Sequence, residues 1–354
     1  LKGHRNLCVG LVLLGLLPCT TLYAQPYQDP LDAPAQVNRL AASSQLTAVA
    51  MVGQRIVAVG ARGMVLLSDD QGNNWQQAKV PVSSDLVAVQ FSGDKQGWAV
   101  GHDGVVLHSG DAGATWEKQL DGRILEKLLT AHFKEMAAKD NEKAQQYLDL
   151  IKLNFANGPE QPFLGVWFEN EQDGFVVGAF GTIMGTHDGG KTWESWLEKV
   201  DNPDMLHYNA IVGIAGQTYI TSEQGSVFKL DKEQQRFIKL SSGYTGSFFG
   251  ILGNQQFLLA YGLRGNAYKS LDEGQTWSRL ETASTTGLVA GVLDEKGHIL
   301  LASEAGAVIE SRDEGKSFKP LPDVRPALFA GLALAAPDRA VVVGLSGVQV
   351  ISLQ

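Results

Sequence analysis

At 354 residues the chain is long enough for one large domain or two ordinary ones. Its 40 glycines and 19% charged residues are the composition of a β-rich protein with many tight turns. A formal net charge of −9 makes nucleic acid and an anionic membrane surface poor partners.

In chain order, Lys2 and Arg5 precede an apolar run from Leu7 to Leu17, and "LYAQ" at 22–25 supplies a small residue for cleavage. This predicts a secretory signal peptide over 1–24, cut near Ala24, because the run is too short to span a bilayer. A lipoprotein signal at Cys19 is disfavoured by Pro18 in "LLPC". Both cysteines, Cys8 and Cys19, lie in the predicted signal, so the mature protein of 25–354 would hold no disulfide or thiolate metal site. An exported, acidic, periplasmic protein is the expectation.

The first unit after it, "LTAVAMVGQRIVAVGARGMVLLSDDQGNNWQQAKV" (46–80), has three β-branched alternating runs, a turn-rich box and a polar fourth strand. The box returns as "SDDQGNNW" (68–75), "SGDAGATW" (109–116), "THDGGKTW" (186–193), "SLDEGQTW" (270–277) and "SRDEGKSF" (311–318). Trp75 and Trp116, like Trp277 and Phe318, lie one repeat of about 40 residues apart, and Trp193 marks two roughly doubled gaps. A second signature, a turn ending in Gly, precedes each box: "VGARG" (59–63), "VGHDG" (100–104), "VGAFG" (177–181), "TSEQG" (221–225), "YGLRG" (261–265), "ASEAG" (302–306) and "VGLSG" (343–347). The unit at 221–237 keeps Asp231 and Phe237 without the box glycine. The last unit ends in "VQVISLQ" with no outer strand.

Seven turns predict an all-β, seven-bladed β-propeller of four-stranded blades. A six-bladed ring with a misread final unit is the alternative. The open edge of the last blade needs a partner, and 34–45 is the expected ring-closing N-terminal strand. Between blades 2 and 3, the stretch 123–160 changes period. Leu125, Leu128, Leu129, Phe133 and Met136, then Tyr147, Leu148, Ile151 and Phe155, follow helical spacing and predict a helical-hairpin insertion. Its apolar stripe is expected to pack on the propeller itself, since an exposed patch of that size is unusual in a monomer; a partner-docking arm projecting above the ring is the competing reading, and one helix face could be packed while another is presented.

In each box the aspartate can accept backbone N–H groups and close the turn, the glycine supplies positive φ, and the aromatic side chain can pack between blades. Asp70, Asp111, Asp188, Asp272 and Asp313, with Trp75, Trp116, Trp193, Trp277 and Phe318, are therefore structural. Five equivalent turns do not make one active site. The paired signature S-x-D-x-G-x-T-W after V-G-x-x-G-x-[VI] resembles the bacterial neuraminidase repeat. In particular it resembles the propellers related to the photosystem II stability and assembly factor, including their homologues in non-photosynthetic bacteria. The resemblance spans nearly all of 40–354 outside the insertion. It implies a non-enzymatic lumenal or periplasmic protein that helps a membrane complex assemble, and in proteobacteria a partner of exporters of the resistance-nodulation-division class. The glycine-less fourth box and the insertion depart from the plain pattern.

A sialidase would need an arginine cluster, a Tyr–Glu nucleophile pair and a further acid. The nearest thing to its Arg-Ile-Pro motif is "VRPA" at 324–327, at the wrong end. No catalytic residue, metal ligand set or cofactor is predicted: the histidines lack ligand spacing, and "DGGKT" (188–192) precedes a strand rather than a helix. In a four-stranded blade the second-to-third turns share one face with the blade-to-blade connections, and so with the insertion. That places Arg62, His102, Asp103, Phe180, Glu223, Arg264 and Glu304 on one partner-binding face, beside Leu128, Phe133 and Tyr147 of the helical arm. The predicted partner is the periplasmic part of an integral membrane complex. The protein would be a monomer when free and at most peripheral to the membrane, with no nucleic acid bound. A glycan-binding or glycoside-hydrolase-like propeller and a small-ligand carrier are the competing readings; Glu223 and Glu304 could form an acid–base pair across the mouth.

Overall fold

The computed structural model describes residues 27–139 and 142–353; the predicted signal peptide lies outside them. Seven antiparallel sheets follow one another along the chain, each meandering from an inner first strand outward. Blades 1 to 6 occupy 46–77, 86–120, 163–195, 208–241, 248–280 and 288–320, and each has four strands. Blade 7, at 329–352, has three. The first strands neighbour one another in order, and that of blade 1 (Leu46–Val52) lies against that of blade 7 (Phe329–Ala336). The ring is closed, and it is the seven-bladed one.

The second strands explain why the sequence chooses this stacking. Runs such as "IVAV" at 56–59 and "AVVV" at 340–343 are buried on both faces because each blade is sandwiched between two others. Accordingly, core clusters pool residues from neighbouring blades, as where Ile56, Ala58 and Leu66 of blade 1 meet Val341 and Val343 of blade 7.

The closing strand expected at 34–45 is not there. This segment holds a short 3-10 turn at Ala41–Ser43 and otherwise irregular backbone. Its hydrogen-bonding groups are engaged elsewhere: Ala35 N–H donates to the Val80 carbonyl (3.1 Å) and Asn38 N–H to Gln77 Oε1 (2.9 Å), both at the outer side of blade 1. Closure is made by packing instead. The first box turn abuts blade 7, where a Cβ at Gly72 would lie 2.9 Å from Val350 Cγ2.

The insertion forms two helices, α1 (Gly122–Ala137) and α2 (Glu142–Asn154), between blades 2 and 3. Asp121 caps α1 by accepting the N–H groups of Arg123 and Ile124 (3.0 and 3.2 Å). Lys118 and Arg123 flank this carboxylate. No helix among the described residues is long and apolar enough to cross a membrane.

Candidate docking face

The two faces of the ring have different chemistry. On one lie the boxes, whose polar groups bond among themselves. In blade 5, Ser270 Oγ donates to Asp272 Oδ1 (2.8 Å) and accepts Gly274 N–H (2.8 Å). Thr276 N–H and Oγ1–H reach the two carboxylate oxygens at 2.8 and 2.6 Å, and Trp277 Nε1–H caps the Gly274 carbonyl (2.8 Å). Asp70, Asp111, Asp188 and Asp313 accept the same bonds in their own boxes, and Trp75 and Trp116 repeat the indole contact. Trp193 is buried and Phe318 packs against the blade 5–6 core. Hydrogen bonds from the Thr276 hydroxyl and backbone, with that of Ser270, hold the Asp272 carboxyl at about 2. Asp313 is lowered by the equivalent donors of Ser317 and Ser311. The box aspartate and hydroxyl groups are thus engaged in closing their own turns. In blade 4, where the box glycine is missing, the third and fourth strands pair without interruption from Ser226↔Ser241 to Asp231↔Arg236.

The other face carries the second-to-third turns. Both glycines of a G-x-x-G turn meet backbone. A Cβ at Gly60 would collide with the Gln45 carbonyl oxygen where the chain enters blade 1, and one at Gly63 with that of Val82 where it leaves. The same double approach recurs at Gly262 and Gly265, against Ser247 and Ser284. Between them the backbone turns left-handed, placing Arg62 (φ 57°), Asp103 (φ 59°), Phe180 (φ 52°), Gln224 (φ 53°) and Arg264 (φ 57°) at equivalent tips. Non-glycine side chains seldom occupy this region, so five copies of it report a scaffold that imposes the conformation.

The candidate residues divide into braces and free groups. Blades 4 and 6 replace the first glycine and its neighbour by Ser-Glu. Glu223 accepts His207 N–H (2.9 Å) and Glu304 accepts Gly287 N–H (2.9 Å), each where the chain enters the same blade. These carboxylates brace their own turns, so they are not a facing acid–base pair. Asp103 accepts the Ser84 hydroxyl (2.6 Å). His102, Arg62 and Arg264 are exposed, and neither arginine forms an ion pair among the described residues. Phe180 is 39% exposed and leans on His207 at 4.7 Å.

Three exposed leucines join them on this face, and sequence reasoning missed them. Leu263 and Leu345 sit at the second position of their turns, and Leu328 precedes the first strand of blade 7, its carbonyl accepting Leu345 N–H (2.9 Å). The available signal was a large apolar residue inside a turn, where a solvent-facing position gains nothing from it.

The insertion stands on the same face, as expected: Gly122 is in van der Waals contact range of Gly104 and Asp103. Its apolar stripe, however, faces the ring. Phe133 is 0% exposed and stacks on Tyr147 at 4.5 Å, while Leu128 and Tyr147 are half-buried against the cluster joining blades 2 to 4. His132 Nε2 meets Glu198 Oε1 at 2.8 Å, tying α1 to blade 3. The stripe packs on its own propeller, which is the favoured expectation, and Phe133, expected among the partner-binding residues, is covered and cannot touch a partner. The arm's exposed large apolar side chains are Ile124 and Leu153.

With this geometry in view, the comparisons are specific. The profile of the photosynthesis system II assembly factor YCF48 family matches residues 34–146 and 140–290. The chain is 24% identical over 307 residues to the photosystem II assembly lipoprotein Ycf48 of Synechococcus sp. (strain CC9902), covering 82% of this chain and 79% of that protein. It is 24% identical over 326 residues to the photosystem II assembly protein Ycf48 of Synechococcus sp. (strain JA-3-3Ab), with 83% and 94% covered. Among solved structures, YCF48 bound to D1 peptide superposes with a TM-score of 0.63 at 16% identity, covering 88% of this chain and 94% of that one. A streptogramin B lyase superposes with a TM-score of 0.66 at 10% identity, covering 88% and 95%, which shows how widely the fold alone is shared.

Proposed function

Because the chain belongs to the family of the photosynthesis system II assembly factor YCF48, we propose that it is a non-enzymatic assembly factor whose turn face docks on the exported part of an integral membrane complex. The observation that carries this reading is the concentration of exposed apolar side chains on that face: Phe180, Leu263, Leu328 and Leu345, from three blades and a connection between two. Leu263 and Leu345 stand in turns clamped by carbonyl contacts at both glycines, and Phe180 in one clamped at Gly178 by the Pro162 carbonyl, so docking would cost little ordering of the protein. Arginines without ion pairs lie beside them, and exposed apolar anchors ringed by such groups are the usual anatomy of a binding site. In line with its relatives, one of which is a photosystem II assembly lipoprotein and one a protein bound to D1 peptide, the chain would work in the periplasm after loss of its signal near Ala24. A resistance-nodulation-division exporter is the partner implied by the sequence resemblance. Glycan recognition has less support, since Glu223 and Glu304 hold their own turns.

The test is crosslinking in cells, capture of the tagged chain from detergent-solubilised membranes, and identification of what co-purifies. Wild type and Leu271→Asp, an exposed change on the box face, are expected to bring down the same integral membrane complex. Phe180→Asp combined with Leu263→Asp should lose it at least tenfold. Capture of no membrane protein by wild type would overturn the assembly reading; undiminished capture by the double variant would overturn the choice of face.

A further inference from the structure

Beside the blade 1 turn, the N-terminal segment encloses a groove of about 670 Å³ whose lining includes Pro30, Pro34, Val37, Arg39, Arg62 and Met64. It is built where a closing strand was expected, and it has three distinctive properties. Its charge is of one sign. The lining holds two arginines and no aspartate or glutamate, in a chain of formal net charge −9. Neither arginine forms an ion pair among the described residues. Its walls are fixed by main-chain bonds: Ser83 N–H donates to the Pro30 carbonyl (2.8 Å), Ala35 N–H to that of Val80 (3.1 Å), and Arg62 N–H to Asp85 Oδ1 (2.7 Å). And it is apolar between the charges, with two prolines, buried Met64 and Val37, the last 88% exposed at the rim.

We propose that this groove binds an extended acidic peptide segment, its carboxylates engaging Arg39 and Arg62 and its apolar side chains covering Pro34, Val37 and Met64. The inference rests on the docking-face reading and gives it a site and a chemistry. Guanidinium forks match carboxylates in bidentate geometry. A small inorganic anion would satisfy the arginines but leave the apolar lining uncovered, which is why a peptide fits better.

The probe is a fluorescein-labelled decapeptide of alternating Val and Glu, with its Val–Gln counterpart as control, titrated with the full chain and followed by anisotropy. The acidic peptide should bind at least tenfold more tightly than the control and weaken as salt rises. Arg39→Gln and Arg62→Gln should each weaken it about tenfold, while Arg279→Gln, exposed on the outer strand of blade 5 and outside the groove, should not. Both substituted side chains are exposed, and unchanged circular dichroism and thermal midpoint would show that the fold is intact. Equal binding of the two peptides, or indifference to both substitutions, overturns the proposal. So does capture of the chain by phosphatidylglycerol vesicles that requires the same arginines, which would mean a lipid surface is read. The outcome is separable from that of the docking reading: a membrane complex still recovered by wild type while the acidic peptide fails leaves the face standing and removes the groove.

Discussion

A Cβ at Gly265 would meet the Ser284 carbonyl oxygen, at a backbone φ of +72°. Two penalties therefore fall on one atom, conformational strain and a clash with a connection that cannot retreat without shifting blade 6. Gly216 has a similar φ of +79° and nothing within 4 Å, so it carries the first penalty alone. Gly265→Ala is expected to cost at least about 2 kcal/mol, and Gly216→Ala about 1 kcal/mol; paired urea titrations measure the difference. The box aspartates contribute to stability toward acid. Asp272 falls from its ordinary 3.8 to about 2 in the fold. A depressed folded value means that its contribution is complete above 3.8 and lost as pH drops through about 2. The gap in thermal midpoint between wild type and Asp272→Asn should be constant above about pH 5 and shrink across that window. A gap that persists at pH 2 would show that the box needs the side chain's shape and not its charge.

At the scale of elements, the insertion behaves as an eighth packing unit. Phe133 links α1 to Tyr147 of α2 and to the cluster shared by blades 2 to 4. Phe133→Ala should cost about 3–5 kcal/mol as a buried aromatic truncation, and hydrogen exchange in wild type should protect α1 amides to the level of neighbouring strands. Rapid exchange throughout α1 would instead mean an arm that opens. The existence and position of both helices were legible, because a 3.6-residue period cannot be mistaken for strand alternation over four turns. Which way the stripe faced was legible only in part: periodicity says that Leu125, Leu129 and Phe133 share a side and the size of the patch favours burial, but only the shape of the adjoining blades says what covers it. The 34–45 segment failed for a related reason. An open edge demands some protection, but the segment's donors are bonded to Gln77 at the outer strand of blade 1 and to Val80 just after it. Turns and boxes read correctly because their logic is local, contained in five to eight consecutive residues. The groove at Arg39 and Arg62 was invisible, since it joins two segments that only the closed ring brings together.

For the molecule as a whole, the seam between blades 7 and 1 differs from the other six in having the first and last parts of the ring meet across it. Among the described residues no strand is exchanged there. What holds it is the packing of Ile56, Ala58 and Leu66 on Val341 and Val343, and the first box turn set against Val341 and Val350. Chain connectivity, which joins the two blades at every other seam, is absent at this one, so local opening should begin here. Val341→Ala tests this against Val177→Ala, an equally buried second-strand position within the continuous part of the ring. Both truncations are expected to lower global stability by about 2 kcal/mol. Only the seam variant should also raise exchange in blade 7 amides under conditions where blades 3 to 5 stay protected. Equal, global effects from both would mean that packing alone makes the ring one cooperative unit. The turn face would then stay rigid across the closure, next to the groove formed by the N-terminal segment and blade 1.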